Sequence, residues 1–194
     1  MISVMFLFSG CSKKQPIKGD TPFQKQMNAD FKDASKSPLT SKDLKTFEGL
    51  DFFKYNDEFN ILAFLERTPY SNWFQMRTTT DRLTKERVYG ILRFQIRGQD
   101  FKLNVYQGED EINTPGDEDS LFLPFLDRTN GELTYGGGRY LNLKIPEGDS
   151  IKVDFNEAYN PYCVYNKKYS CPLVPRANFL DLEVRAGLKM YTAK

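Results

Sequence analysis

A change of hydrophobic period near residue 51 limits the possible folds more than any other feature of the chain. From Asp51 onward, apolar and polar residues alternate in short segments bounded by turn residues, without helical patterns between them. Such alternation is typical of antiparallel sheets, because parallel strands need long crossover connections that are usually helical. The clearest segments are residues 59–66, 73–78, 87–96 and 101–106. We therefore predict a mainly β fold, either an antiparallel sandwich or a partly open barrel.

One or two N-terminal helices are predicted ahead of the sheet. Thr21 suits a helix cap, and Pro22 suits the first helical position. Apolar residues then recur every four positions and give one stripe that must pack on another element. The stripe consists of Phe23, Met27 and Phe31. A second short helix is predicted from residue 40 or 41 to residue 47. The sequence contains no internal repeat, so residues 21–194 are predicted to form a single β-rich domain.

An apolar run over residues 1–10 ends at Cys11, and a polar stretch with lysines follows it. The run is too short to span a bilayer, but it has the length of a signal-peptide core. Small residues directly before a cysteine fit the cleavage site of bacterial lipoproteins, in which the thiol becomes the lipid anchor. We therefore predict a signal peptide over residues 1–10 and a lipid-anchored tether over residues 11–20. The alternative is a cytosolic protein with an apolar amino terminus and a chance cysteine.

The lipoprotein interpretation predicts both a location and a partner. The protein would lie in the bacterial cell envelope, on the periplasmic or surface face of the outer membrane, and would contact the membrane through lipidated Cys11. Nucleic acid is not expected as a partner, because the formal net charge is only +1 and no basic stripe is present.

The absence of histidine excludes several kinds of chemistry. Ser-His-Asp and Cys-His catalysis and histidine-ligated transition metals all need an imidazole. Without histidine, any catalysis would use carboxylates, tyrosines, lysines or a bound cation. We predict no metal site among the protein's own residues and no cofactor. The acidic segment 107–120 has oxygen ligands in high density, but its spacing does not match a helix-loop-helix calcium loop. A solvated loop is the favoured interpretation of that segment, with a calcium site as the alternative.

Two further cysteines, Cys163 and Cys171, lie eight positions apart. In an envelope protein whose Cys11 carries lipid, this pair predicts a disulfide. The alternatives are a free reactive thiol or a metal-binding pair. Both are less favoured, because no histidine or additional cysteine is left to complete a nucleophilic or zinc site.

The carboxy-terminal part of the chain contains several ordered motifs. They are LFLPFLDRTNG (121–131), TYGGGRYLNL (134–143), VDFNEAYNPYC (153–163), YSCPL (169–173) and RAG (185–187). This series resembles the bacterial and archaeal family catalogued as domain of unknown function 1684. The likeness covers roughly residues 30–190. Leu188 stands where the family has Glu, and Arg176-Ala177 replaces a Pro-Glu pair. As its name says, the family implies no established activity.

A hairpin is predicted at residues 145–149, Ile-Pro-Glu-Gly-Asp, which have the chemistry of a three-residue loop with a Gly bulge. The predicted register sets Leu143 opposite Ile151 and Leu141 opposite Val153 on the core face. Arg139 then points inward, diagonal to Glu157, and needs a carboxylate or several carbonyl oxygens as partners. The glycines at 136–138 are expected to allow close backbone approach or a bulge before that strand.

These positions predict one polar cluster at the open end of the hairpin. The predicted binding residues are Arg139, Tyr140, Asp154, Asn156, Glu157, Tyr159 and Asn160. Asn and Tyr in loops often satisfy buried backbone groups and do nothing more, so a purely structural cluster stays open as the alternative. Three tyrosines on the following loop either offer stacking faces to a planar ligand or pack over the core. They are Tyr162, Tyr165 and Tyr169.

Two functional hypotheses of different classes follow. The first is an envelope module that binds a small or glycan-like ligand or a partner protein of the envelope. The second is a hydrolase acting on envelope or glycan substrates through paired carboxylates, drawn from Asp127, Asp154 and Glu157. A purely structural assembly component would instead show an exposed apolar patch and no pocket.

Overall fold

The computed structural model describes residues 18–192, and within them the chain forms three α-helices and eight β-strands. The helices are α1 (Pro22–Lys32), α2 (Ser41–Lys45) and α3 (Glu109–Ile112). The strands are β1 (Asn60–Arg67), β2 (Phe74–Arg77), β3 (Leu83–Ile96), β4 (Gln99–Gly108), β5 (Ser120–Asp127), β6 (Arg139–Lys144), β7 (Ser150–Asp154) and β8 (Phe179–Leu180). Short 3-10 helices cover Asp57–Phe59, Phe155–Glu157, Tyr162–Val164 and Arg176–Asn178.

The strands form one curled antiparallel half-barrel. Its path runs β6-β5-β4-β3-β1-β7; β2 also pairs with β3, and β8 pairs with β5 in the parallel sense. The inner face of the sheet carries the main core, which includes the fully buried Leu92, Val105, Leu123, Val153 and Phe155. The predicted mainly β class with a partly open barrel is confirmed.

The helical region before the sheet also follows the sequence pattern. Thr21 caps α1, and its hydroxyl accepts a hydrogen bond of 3.2 Å from the backbone N–H of Gln24. Phe31 is buried in a second, smaller apolar cluster, and Met27 packs against that cluster. The second predicted helix is present as α2, which begins after Thr40 and ends at Lys45.

The predicted hairpin pairing between residues 139–144 and 150–154 is wrong. Strand β6 pairs with β5, so that Leu141 lies opposite Leu123, and β7 pairs with β1, so that Val153 lies opposite Ile61. The turn at 145–149 therefore connects the two ends of the sheet path. Arg67 of β1 holds this turn by hydrogen bonds to the carbonyl oxygens of residues 146 and 148, at 3.0 and 2.7 Å, and by an ion pair with Asp149.

A β-bulge in β3 reverses which face the strand presents. Val88 pairs with Tyr106, whereas Gly90 pairs with Val105, so one extra residue lies between these positions. Residues of β3 beyond the bulge, such as Leu92, point into the core. Even-numbered residues before it, Glu86 and Val88, instead share the outer face of the sheet with Tyr106.

The predicted signal peptide, Cys11 and most of the predicted tether lie outside the described residues. Within residues 18–192, no helix is both long enough and apolar enough to cross a membrane.

Candidate functional site

An open cleft runs over the outer face of the half-barrel, where β6 and the segment after β7 meet. It has two lobes of about 580 and 570 Å³ that share one wall. The shared wall consists of Tyr140, Asn142, Tyr159 and Pro172. The acidic lobe is lined by Glu86, Asp110, Glu111 and Phe122 among others. The aromatic lobe is lined by Phe23, Met27, Phe31, Tyr162 and Tyr169 among others.

The shared wall is a rigid unit. The backbones of Tyr140 and Tyr159 exchange two hydrogen bonds of 2.9 and 3.0 Å, and their rings meet edge to face at 5.9 Å. The Tyr140 hydroxyl donates to the carbonyl oxygen of Pro172, and the Tyr159 hydroxyl donates to Asn142 Oδ1 at 2.7 Å. Burial raises the pKa of both tyrosines above their usual range, so both stay neutral and donate hydrogen bonds.

Glu86 is the unusual group of the acidic lobe. Its side chain is buried, and its Oε2 atom has no hydrogen-bond partner among residues 18–192. Burial, and then repulsion by the carboxylate of Glu111, raise the pKa of Glu86 to about 7, against a weaker opposite effect of the Thr84 hydroxyl. Glu86 therefore changes its charge near neutral pH.

Glycine at position 108 allows the two carboxylates to come together. A Cβ atom placed on Gly108 would lie 2.0 Å from Glu111 Oε2 and 3.1 Å from Glu86 Oε2. Both oxygen atoms therefore occupy the space that a side chain at this position would fill.

The basic residues around the acidic lobe have other partners. Lys85 pairs with Glu109, and Lys144 pairs with Asp119 at 2.6 Å. The guanidinium of Arg82 donates to the carbonyl oxygen of Ser170 at 3.1 Å. None of the salt bridges among residues 18–192 includes Glu86 or Glu111.

The aromatic lobe offers ring surfaces rather than charges. The rings of Tyr162 and Tyr169 meet at 5.3 Å, and the ring of Tyr162 also meets that of Phe31 at 6.4 Å. Tyr162 is 43% exposed, so part of its ring is free to contact a ligand. Tyr165, also considered for stacking, is instead buried in the second apolar cluster.

Arg139 points inward, as predicted, but it lies beneath the cleft on the inner face of β6. Its Nη2 atom donates to Asp127 Oδ2 and to the carbonyl oxygen of Val184, both at 2.8 Å. Its Nη1 atom donates to the carbonyl oxygens of Ala186 and Leu188. The carboxylate partner is therefore Asp127, not Glu157, and both side chains of the pair are fully buried.

The family model described as "Protein of unknown function (DUF1684)" matches residues 45–189. The chain belongs to the DUF1684 family. A solution NMR structure of an uncharacterised protein from Haloarcula marismortui is similar to this chain, with 30% sequence identity and a TM-score of 0.67. The similarity covers 86% of this chain and 89% of that one. No curated protein matches the chain significantly.

In this DUF1684 protein, the predicted polar cluster is divided into separate hydrogen-bonded groups. Asp154 Oδ1 accepts from the backbone and side-chain N–H groups of Asn156, whose amide also pairs with the backbone of Asn56 in both directions. Asn160 donates to the carbonyl oxygen of Lys189 at 2.9 Å and, more weakly, to the hydroxyl of Tyr165. The expectation of one joint cluster was wrong, because it depended on the incorrect pairing of β6 with β7.

Of the predicted binding residues, Tyr140 and Tyr159 line the two-lobed cleft. Asp154 and Glu157 line a separate groove of about 350 Å³ between the edges of β6 and β7. Partial burial, and then the charge of Asp154, raise the pKa of Glu157. Arg139, Asn156 and Asn160 are buried and bonded to backbone groups.

The predicted disulfide between Cys163 and Cys171 is also corrected by this structure, in which both residues are free thiols. The two are adjacent, since the Cys163 backbone N–H donates to Cys171 Sγ at 3.1 Å. A hydrogen bond from the Cys171 thiol lowers the pKa of Cys163 to about 7. The spacing of the pair predicted proximity correctly, but proximity alone does not form the covalent bond.

The sequence reasoning missed Glu86 and Glu111 of the acidic lobe. The acidic segment 107–120 was expected to be a solvated loop, but part of it forms α3 and carries Glu111 to Glu86. Within residues 18–192, no group of three or more His, Cys, Asp or Glu residues is arranged to hold a metal ion. The sequence did contain one signal for the position of Glu86. Gly90 lies inside a strand pattern, and an interior glycine often marks a β-bulge.

Proposed function

We propose that this protein is a lipid-anchored component of the cell envelope that binds a small or glycan-like ligand in the two-lobed cleft. The observation that carries this proposal is the wall shared by the lobes, in which Tyr140 and Tyr159 lie between an acidic and an aromatic surface. A ligand seated on that wall would contact both surfaces at once.

The dimensions and chemistry of the cleft support this proposal. Each lobe falls within the range of about 300–1,000 Å³ that is typical of small-molecule sites. Carboxylates such as Glu86 and Glu111 accept hydrogen bonds from hydroxyl or amino groups, and tyrosine rings stack on the flat faces of sugars. The wall is held by hydrogen bonds without a ligand, so binding would cost little ordering of these side chains.

Ligand binding is tested by measuring the change in melting temperature with a panel of mono- and disaccharides. The double variant Tyr162→Ala/Tyr169→Ala removes ring surface from the aromatic lobe, so it should weaken ligand affinity at least about tenfold and reduce the ligand-induced rise in melting temperature. Tyr70→Ala is the control, because Tyr70 is 97% exposed and lies outside both lobes. Equal binding by the double variant and the control would contradict the proposal.

Lipid anchoring is proposed from the sequence, on the apolar run that ends at Cys11. Radiolabelled palmitate should label the wild-type chain but not the Cys11→Ser variant, and globomycin should block processing. An unlabelled and unprocessed wild-type chain would refute the anchor without affecting the cleft.

The carboxylates considered for hydrolysis, Asp127, Asp154 and Glu157, do not line the two-lobed cleft. The side chain of Asp127 is fully buried in its ion pair with Arg139, so it cannot contact a substrate. Asp154 accepts two hydrogen bonds from Asn156, and Glu157 lies beside it in the separate groove. A glycoside hydrolase needs two carboxyl groups that face each other across the substrate site. Ligand binding is therefore the function we propose.

A further inference from the structure

The floor of the acidic lobe contains a buried hydrogen-bond acceptor without a donor. Glu86 is 5% exposed, and its Oε2 atom has no hydrogen-bond partner within the described residues. The hydroxyl oxygen of Thr84, which lines the same lobe, also has none. Buried side-chain oxygens are nearly always hydrogen-bonded, and the Thr84 hydroxyl contact lowers the pKa of Glu86 less than burial and Glu111 raise it, so the carboxylate keeps an acceptor atom for a donor from outside residues 18–192.

The missing donor must also satisfy a concentration of negative charge. Glu111 Oε2 lies over the same Gly108 backbone position as Glu86 Oε2. Of the cations that line the lobe, Lys85 and Lys144 are paired with Glu109 and Asp119, and Arg82 donates to the carbonyl oxygen of Ser170 and has only a weak effect on the pKa of Glu86. Two carboxylates that are close together in a partly desolvated lobe repel each other unless a proton or a cation joins them. A cationic group is therefore more favourable here than a neutral one.

The form of the lobe favours an organic ammonium over a metal ion. Calcium takes six to eight oxygen ligands, whereas no group of three potential acidic ligands is arranged around a metal position in residues 18–192. A primary ammonium has three N–H donors, which matches the acceptors offered by Glu86, Glu111 and Thr84. The rings of Phe122 and Tyr140 also line the lobe and can interact favourably with a cation.

We propose that the acidic lobe binds a primary ammonium group of the ligand, held between the carboxylates of Glu86 and Glu111. This inference rests on the proposed function, because it names the chemical class of the ligand that the two-lobed cleft takes. The ammonium group can belong to an amino sugar or to a lysine-like side chain, and the two sources differ only in what reaches the aromatic lobe.

Matched pairs of probes test the proposal with the full chain, by isothermal titration calorimetry at pH 8. Glucosamine is compared with N-acetylglucosamine, and Nα-acetyl-lysine with Nα,Nε-diacetyl-lysine. Each pair keeps its overall framework and differs by acetylation of the amine. We expect the amine of at least one pair to bind at least about tenfold more tightly than its acetylated partner, as charge-assisted hydrogen bonds require. The pair that shows this preference identifies the source.

Two variants locate the effect in the lobe. Glu86→Gln keeps the shape of the side chain and removes its charge, and the exposed Glu111→Gln provides a second variant if the first one folds poorly. Both should reduce the preference for the amine to less than about threefold. Glu132→Gln is the control, because Glu132 is exposed and lies outside both lobes, and it should leave the preference unchanged.

The outcomes separate the two proposals. If acetylated and free probes bind equally and binding still depends on Tyr162 and Tyr169, the ammonium site is refuted while ligand binding stands. If the amine preference persists in both glutamine variants, the acidic lobe is not its source and the inference fails. If no probe or saccharide binds the wild-type chain, both proposals fail.

Discussion

Arg139 and Asp127 form an ion pair of 2.8 Å in which both side chains are fully buried. The pair joins β5 and β6 to the carboxy-terminal segment, because Arg139 also donates to the carbonyl oxygens of Val184, Ala186 and Leu188. Asp127 Oδ1 accepts from the backbone and hydroxyl groups of Thr129. Residues of three sequence motifs, TNG (129–131), GRY (138–140) and RAG (185–187), therefore meet around the ion pair of Arg139 and Asp127, which gives these motifs a structural role.

Asp127→Asn should lower the free energy of unfolding by about 3–5 kcal/mol, because it leaves the guanidinium of Arg139 buried without a counter-charge. Urea denaturation followed by circular dichroism measures this loss. The control is Asp181→Asn, which breaks the exposed ion pair between Arg128 and Asp181 and should cost less than about 1 kcal/mol. Similar losses in the two variants would contradict the assigned role of the buried pair.

Gly138→Ala should be destabilising by more than about 1 kcal/mol, because Gly138 has φ of +90° and an added Cβ would lie 2.6 Å from the carbonyl oxygen of Phe125. Gly136→Ala in the same triple glycine is a matched control. The nearest atom to its added Cβ is 3.7 Å away, so we expect a change within about 0.5 kcal/mol. Thermal unfolding of both variants measures the difference. A melting temperature of Gly138→Ala that is not lower than that of Gly136→Ala would contradict the prediction.

Glu86 should make stability depend on pH between about 4.5 and 7. Its pKa is raised from 4.5 to about 7 in the folded state, so folded protein binds more protons than unfolded protein in this interval. The contribution of protonated Glu86 to the free energy of unfolding is therefore fully present below pH 4.5 and is lost as the pH rises through 7. The expected loss in the free energy of unfolding is about 3 kcal/mol.

The measurement compares wild type and Glu86→Gln by urea denaturation at pH values from 4.5 to 8. The variant lacks the titrating carboxyl group, so the stability difference between it and wild type should move in favour of the variant as the pH rises. A difference that stays constant over this range would show that Glu86 titrates normally.

Cys163 should react with iodoacetamide before Cys171 does. The hydrogen bond from Cys171 lowers the pKa of Cys163 to about 7, whereas the same hydrogen bond and burial raise the pKa of Cys171. At pH 7.5 a large share of Cys163 is therefore thiolate. Peptide mass spectrometry after brief alkylation of unreduced protein measures the two rates, and equal labelling would contradict the assignment.

Local features of the fold were readable from the sequence. Thr21 and Pro22 predicted the start of α1, because helix capping depends on residues within one turn. The alternating segments predicted β1 to β4, and the parity of Arg139 predicted an inward guanidinium that needs a carboxylate. These predictions depend on neighbouring residues or on strand period alone.

The partners of those elements were not readable in the same way. Residues 145–149 have turn chemistry, but the turn joins the two ends of a curled sheet, and Arg67 fixes its position from a distant part of the chain. Predicting a hairpin there placed Asp154 near Arg139, and the error carried over to the proposed cluster. Arg139 and Asp127 lie on different strands, and nothing in the sequence indicated that the pairing of β5 with β6 would bring them together.

By itself, the sequence determined a mainly β chain with a capped helix, an inward arginine and membership of the DUF1684 family. Only the tertiary structure decided which strands close the half-barrel and which carboxylates meet. The physical reason is clearest at Glu86: simple alternation assigns it to the core face with Leu92, and the bulge before Gly90 turns it outward to meet Glu111. Strand period is a local property, whereas the register between strands depends on the packing of the whole sheet.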